Sequence, residues 1–429
     1  MIGTITLIVF VVVLLMGVPL AFAITFAAIV GAYLLGVGSP IVIAQQMYEG
    51  LRSFPLAAIP LFLLMANLMT VSGVTSALVR FSTSLVGHIR GSLALGNVTA
   101  STIMAGISGS CLADTTAVGS VMIPTMVEDG YPPDFAGAVT AAANIVGPII
   151  PPSILMILYG YAAERSIIRL FLGGIIPGLM LSITFGIYSY LVCRRRSYGT
   201  MKPGFVWREA LRSFFDSLPA LVIPLLIVLG IVGGVFTLTE SAGAAALYAL
   251  LYAIFSGALR KNVPWRNILG AFQRTAIDTV VVLIMVGASR LLAWVLTMSQ
   301  LPQSMASGLH GLGYIPTMVL VNLILLAFGM FMEPAPSILL AASILIPVMK
   351  DLNVDLIHFG MIMVVNLQIG VLTPPVASAA YVTSRIAGIS FEEQIKTLLP
   401  FILLGFITLI LVTFIPKLSL WIPQLVMGP

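Results

Sequence analysis

Two stretches of this 429-residue chain share an unusual punctuation: NIVGPIIPPSILM, with Gly147, Pro151 and Pro152, and NLQIGVLTPPVAS, with Gly370, Pro374 and Pro375. Proline removes an amide donor and clashes with the preceding turn, while glycine tolerates unusual torsions. A Gly-x-x-x-Pro-Pro run therefore unwinds a helix and frees carbonyl oxygens. Inside a bilayer, free carbonyls are tolerated only where protein buries them or where they line a polar cavity. Transporters use such breaks: unwound carbonyls coordinate Na⁺, and the N-termini of the half-helices face anions. Three other places hold groups suited to the same chemistry. They are the run GISGSCLAD at 106–114, the run GMFMEPAPS at 329–337, and a lone arginine, Arg290, within VVLIMVGASRLLAWVL.

The elements that must position these groups are membrane helices. The chain is 59% hydrophobic and 8% charged, against about 25% charged in a soluble domain. Apolar windows long enough to cross a hydrocarbon core fall near 2–16, 18–37, 55–72, 134–161 and 166–193, then near 216–236, 238–259, 274–300, 354–382 and 394–425. The first lacks the basic leader of a signal peptide and reads as a span. No ten-residue alternation of a β-barrel is present. Two further stretches, 92–126 and 316–348, are interrupted by small and polar residues, as expected of re-entrant hairpins. The fold class is an all-α polytopic membrane protein. Cys111 and Cys193 suggest neither a disulfide framework nor a metal cluster. The net charge of +5 sits in short loops and gives no sign of nucleic-acid binding.

Ten crossings and two hairpins put both termini on one side. With that side outside, fourteen basic residues, Lys202 and Lys261 among them, fall on inner segments and five on outer ones. The positive-inside bias thus favours both termini outside. A shift of 223 positions then lays the chain on itself: Gly106 over Gly329, Pro124 over Pro347, Gly137 over Gly360, Gly147 over Gly370, and Pro151–Pro152 over Pro374–Pro375. Each half holds five crossings and one hairpin, so the second half is inverted relative to the first, as in secondary transporters.

The start MGVPLAFA, the segment from GISGSCLAD to NIVGPIIPPS, and its counterpart GMFMEPAPSILLAASILIPVM…LQIGVLTPPV resemble the large membrane subunit of tripartite ATP-independent periplasmic (TRAP) transporters, over essentially the whole length. The resemblance implies an elevator carrier of the ion-transporter type, in which outer scaffold helices hold a moving domain of hairpins and broken helices. It implies transport driven by a Na⁺ gradient in the bacterial inner membrane. It also implies an organic anion of the sialic acid or C4-dicarboxylate class, delivered by a periplasmic substrate-binding protein, and a small four-helix membrane subunit expected as a separate polypeptide.

On that reading the chain divides into scaffold helices with an arm (1–91), the first half of the transport domain (92–161), a scaffold helix and cytoplasmic loop (162–215), second-half scaffold with an arm (216–315), the second half of the transport domain (316–384) and a final scaffold helix (385–429). The arms are the amphipathic segments 39–54 and 260–274. By repeat logic each Na⁺ site pairs a hairpin tip with the facing break. The first takes Gly106, Ser108, Ser110, Asn144, Gly147, Ile150 and Ser153; the second takes Gly329, Met332, Gly370, Thr373 and Val376. Na⁺ prefers oxygen, so backbone carbonyls serve as well as hydroxyls. Two sites predict two or more Na⁺ per cycle.

An ionisable group in a span is a functional suspect, and Arg290 is the expected partner of the anion's carboxylate. The alternatives for it are an ion pair with Asp278 or Glu240, or snorkelling to an interface. Ser108, Ser110, Ser153 and Glu333 are further candidates for substrate contact. Asp114 and Glu333 are expected to support the tips, and Glu240 to cap its helix. A stand-alone Na⁺-coupled divalent-anion symporter has the same design without the binding protein. A pump lacks its nucleotide motif and an intramembrane metalloprotease lacks its paired histidines, since His88, His310 and His358 are scattered. No enzyme activity is expected.

Overall fold

A computed structural model describes residues 1–200, 204–260, 264–310 and 313–428. The first half holds α1 (Ile2–Leu15), α2 (Leu20–Leu34), α3 (Pro40–Leu51), α4 (Ala58–Val71), α5 (Val74–Val86), α6 (Ser92–Ser108), α7 (Cys111–Glu128), α8 (Pro133–Asn144), α9 (Ile154–Ala163) and α10 (Ile167–Arg196). The second half holds α11 (Trp207–Val232), α12 (Leu238–Arg260), α13 (Trp265–Met298), α14 (Leu301–His310), α15 (Tyr314–Phe331), α16 (Pro334–Asp351), α17 (Leu356–Gly370), α18 (Ser378–Ala387), α19 (Phe391–Phe414) and α20 (Lys417–Met427). Among the described residues, eight helical segments are long and apolar enough to cross a membrane, and five more are shorter apolar helices. Lys202 and Lys261 lie outside the described residues.

The repeat read from glycines and prolines recurs in the helix boundaries. Helices α7 and α16 are each eighteen residues and begin 223 positions apart, at Cys111 and Pro334. Both Pro-Pro pairs, Pro151–Pro152 and Pro374–Pro375, hold cis peptide bonds. The two hairpins are α6–α7, turning at Gly109–Ser110, and α15–α16, turning at Met332–Glu333, and each packs on itself. The two broken helices are α8–α9, open over 145–153, and α17–α18, open over 371–377.

Burial separates a core from a frame. Every residue of α17 is buried, as is every residue of α8 from Phe135 on. Both helices carry polar side chains, Thr140 and Asn144 on α8 and His358, Asn366 and Gln368 on α17, which would be costly against lipid and so belong inside the protein. Around these two pack α6, α7, α18 and α19 on α8, and α10, α15, α16 and α19 on α17. The frame consists of α1, α2, α4, α11, α12 and α13, where α13 touches α2, α3, α4 and α16. Its apolar side chains face outward, for example Leu225, Leu229, Ile277 and Val280, as required for contact with lipid.

Two expectations about the helices need correction. The segment 260–274 does not form a separate arm: from Trp265 it is the first part of the 34-residue helix α13, and 261–263 lie outside the described residues. The first-half arm α3 is a separate helix because Pro55 sits in the short 3₁₀ turn Phe54–Ala57 that parts it from α4. The residue 223 positions later is Asp278, which a helix accommodates, so the second arm runs straight into its span. The stretch 394–425 is two helices, since α19 ends at Phe414 and Pro416 starts α20. The short helices α5 and α14, which follow the third span of each half, escape a window tuned to twenty apolar residues.

The close approach of hairpin to break sets a test. A Cβ added at Gly370 would lie 2.5 Å from the Gly329 carbonyl carbon, whereas one at Gly186 would meet only Leu95 at 3.8 Å. Gly370→Ala is expected to lower the thermal midpoint in detergent by an amount equivalent to about 1–3 kcal/mol, with Gly186→Ala near neutral. Equal midpoints would show that the tip and break do not pack as described.

Candidate functional site

The first hairpin tip is built by two adjacent glycine and serine features. Gly109 closes α6 in the left-handed region at φ +61°, and Ser110 then starts α7 in an extended conformation. The Ser108 hydroxyl accepts from the Ser110 amide at 3.1 Å, which folds the tip on itself. A Cβ at Gly109 would stand 2.4 Å from the Pro152 carbonyl oxygen, so the tip lies directly on the break. In the break, the Ser153 hydroxyl donates to the Pro148 carbonyl at 2.5 Å and caps α9 by accepting from the Met156 amide at 3.3 Å.

Polar groups at this contact are left over. Both carboxylate oxygens of Asp114 and the side-chain oxygen of Asn144 are buried with no donor at hydrogen-bond geometry, the Ser108 hydroxyl being the polar group next to the Asp114 carboxyl. Asn144 spends its amide on the Thr140 carbonyl at 2.7 Å. The Asp114 Oδ2 atom would lie 2.9 Å from a Cβ on Gly147, which puts the carboxylate against the break. Buried polar atoms in native proteins have partners, and acceptor oxygens left without donors suit a hard cation. Ile150 turns its side chain onto Gly178 of α10, and Gly106 lies beside Pro224 and the Pro151 carbonyl.

The second contact repeats the backbone and changes the side chains. Gly329 and Gly370 touch backbone to backbone, and the Thr373 hydroxyl donates to the Ile369 carbonyl at 2.8 Å. The counterpart of Asp114 is Ser337, whose hydroxyl donates to the Glu333 carbonyl at 2.8 Å. At that position the second half therefore has a hydroxyl in place of a carboxylate. Met332 caps α15 in an extended conformation, and Val376, half exposed, follows the Pro-Pro pair in the break. Asn366, held by the Asn322 carbonyl at 2.9 Å and its side-chain oxygen at 2.8 Å, keeps one oxygen without a partner, and both ends of the Gln368 amide are buried without one.

Both tips and both breaks meet at one cavity of about 460 Å³. It is lined by Ser108 to Ala113 from the first tip, Pro148 from its break, Glu333 to Ala335 from the second tip, and Gln368 and Val371 from the second broken helix. The frame contributes Leu63, Ala66 and Asn67 from α4 and Asp278, Val281 and Val282 from α13. Asn67 is fixed by donating to the Thr275 hydroxyl at 3.0 Å. Glu333 and Asp278 are the charged groups on its wall, and no arginine, lysine or histidine of the described residues lines it.

The structure thus gathers Ser108, Ser110 and Glu333 on the cavity and Gly106, Asn144, Gly147 and Ser153 at or beside the first contact. Arg290 is elsewhere. It lines a second cavity of about 480 Å³ with Glu49, Tyr161, Arg165 and Ser289, and its stem packs on Gly50 of α3. Asp278 lines the central cavity instead of pairing with it. Glu240 accepts from the Thr237 amide at 2.8 Å and the Thr237 hydroxyl at 2.9 Å, a local cap of α12. Asp114 and Gln368 gain weight over what the sequence suggested. A carboxylate one turn inside a helix that begins at a Ser-Gly-Ser tip was the available signal for Asp114.

Comparison with known proteins follows the same lines. A protein-family description, "Tripartite ATP-independent periplasmic transporter, DctM component", matches residues 7–418. The sialic acid TRAP transporter large permease protein SiaM of Vibrio cholerae is 38% identical over 96% of this chain and 96% of its own length. The C4-dicarboxylate TRAP transporter large permease protein DctM of Pseudomonas aeruginosa is 38% identical over 89% of each chain. Among solved structures, the YdaH transporter of Alcanivorax borkumensis aligns with a TM-score of 0.60 over 86% of both chains at 16% identity, which shows a shared fold. By its sequence, the chain belongs to the DctM family, the large membrane permeases of TRAP transporters.

Proposed function

We propose that this permease takes up an organic anion by Na⁺-driven secondary transport, the anion being handed over by a periplasmic substrate-binding protein. The observation that carries the reading is the convergence of two hairpin tips and two helix breaks on one cavity. Na⁺ travels as cargo. The first ion would be held by backbone carbonyls around Gly147 with the Asp114 carboxylate and the Asn144 oxygen, and the second by carbonyls around Gly329, Met332, Gly370, Thr373 and Val376. An anion in a cavity walled by Glu333 and Asp278 needs positive potential from another source. The N-termini of α7 and α16 supply part of it, because both helices begin at the cavity and a helix N-terminus carries about half a positive charge. Bound Na⁺ supplies the rest.

The core of α6–α9 and α15–α18 is the part proposed to move against the frame, in the manner of an elevator. The outward apolar face of the frame suits the lipid bilayer and a small membrane subunit. The charge bias supports both termini lying on the periplasmic side of the inner membrane. The substrates named for the two relatives, sialic acid and C4-dicarboxylates, define the classes to be tried first.

Two experiments bear on this. In liposomes holding the permease and its small subunit, labelled N-acetylneuraminate or succinate is expected to accumulate only with an inward Na⁺ gradient and the cognate binding protein. Uptake of free substrate without that protein would make the chain a stand-alone symporter, and indifference to Na⁺ would remove the coupling claim. A coupling of one Na⁺ per cycle would remove one of the two sites. Replacement of the buried carboxyl should also be decisive: Asp114→Asn is expected to raise the half-saturating Na⁺ concentration about tenfold or more, the scale of losing one charged ligand to a bound cation. An unchanged Na⁺ curve would leave Asp114 a structural residue.

A further inference from the structure

The second cavity has no role in the scheme above, and its make-up differs from that of the central one. It lies where the frame meets the core: Glu49, Ser53 and Pro55 come from the α3 end, Val286 to Ala293 from α13, Gly160 to Ala162 from α9, and Leu339 and Ser343 from α16. Three of those helices, α9, α13 and α16, also line the central cavity, through Leu155, Val282 and Ala335. At 1.5 Å per residue, the eight residues from Val282 to Arg290 place the second cavity about 12 Å further along α13. From Leu155 to Gly160 and from Ala335 to Leu339 the interval is about 6–8 Å. The two cavities are neighbours along shared walls.

Their charges are opposite. The central wall carries two carboxylates and no cation among the described residues. The second wall carries Arg290 and Arg165 with Glu49 and Glu164. Glu49 is occupied by Arg52 at 2.9 Å, which leaves a positive balance. Arg290 makes no ion pair or side-chain hydrogen bond with any described residue. The hydroxyl of its neighbour Ser289, a residue only 4% exposed, is buried without a partner. A guanidinium with an unspent head, its stem packed on Gly50, on the same wall as an unspent hydroxyl can receive a carboxylate, and about 480 Å³ falls within the range of small-ligand cavities.

We infer that this second cavity is an anion-holding vestibule, where Arg290 and Ser289 bind the carboxylate of the organic anion before it passes to the hairpin tips. The inference rests on the transport reading for its purpose and on the cavity alone for its chemistry. The charge bias puts the α3 end outside, so the vestibule opens toward the side from which a periplasmic protein would deliver. The anion is gathered by a cation at the mouth and released from it on moving inward, which a cation in the central site would hinder.

The test uses the full chain with its small subunit and two readouts. In the first, Ser343→Cys is labelled in membranes with an impermeant maleimide, with the unmodified protein as blank. N-acetylneuraminate or succinate is expected to slow labelling several-fold, and this protection is expected to vanish when Arg290→Gln is added. In the second, uptake by Arg290→Gln and Ser289→Ala is expected to show a KM raised about tenfold or more for the arginine change, a smaller rise for the serine change, and kcat close to that of the parent. Arg290→Lys should restore part of the loss. Protection that survives Arg290→Gln, or a fall in kcat with KM unchanged, would overturn the vestibule and leave Arg290 as packing for Gly50. Protection by both anions in a protein that transports neither would keep the vestibule and discard the transport reading.

Discussion

The constraint on which the rest of the molecule depends is that unwound backbone at membrane depth must be covered by other backbone. Each break exposes a run of carbonyl and amide groups that lipid cannot satisfy, and in each half a hairpin tip supplies the cover. The contact is so close that side chains are excluded: Gly109 lies on the Pro152 carbonyl, and Gly329 lies on Gly370. Once tip and break are locked together, the helices that carry them must form one body. This is why α8 and α17 are buried on all sides and why the frame touches that body along fewer helices.

The inverted repeat duplicates this backbone device and varies what it displays. Asp114 corresponds to Ser337 and Asn144 to Leu367, so the first contact has a carboxylate and an amide oxygen where the second has a hydroxyl already spent on its own helix. In the frame, Asn67 binds Thr275 across the α4–α13 seam, and the same two positions 223 residues away are Arg290 and Arg52. The halves thus agree in where the chain breaks and differ in where charge is placed. Geometry recurs because unwinding and covering a helix has few solutions, whereas a side chain at such a position can change without disturbing the backbone.

That difference decides what a sequence reader can see. The breaks, the tips and the pairing between them were legible because Gly and Pro act through backbone torsion and carry their meaning locally. The continuity of α13 was legible in the same terms, through Asp278 standing where the first half has Pro55, but the amphipathic look of both arms hid it. The station of Arg290 was not legible. Its depth depends on where a 34-residue helix begins and on which neighbours flank it, and no local pattern reports either. Asp114 was visible as a residue and invisible as an orphan, since lacking a partner is a property of the packed core.

The arrangement of charge also suggests why an anion and a cation would move together. A carboxylate brought into a cavity walled by Glu333 and Asp278 meets repulsion from both. A cation held at the adjoining tip–break contact, as proposed, would offset that repulsion by attraction, the more so in a site shielded from water. Without the cation that attraction is missing, and the repulsion stands. By linkage the anion must then strengthen cation binding by the same factor. Coupling of this kind needs no gate and no conformational signal between the sites. It needs only that the central cavity lack a fixed positive side chain, which would hold the anion whether or not Na⁺ was bound. The absence of Arg, Lys and His from the described wall, and the presence of Arg290 outside it, are the two halves of that condition.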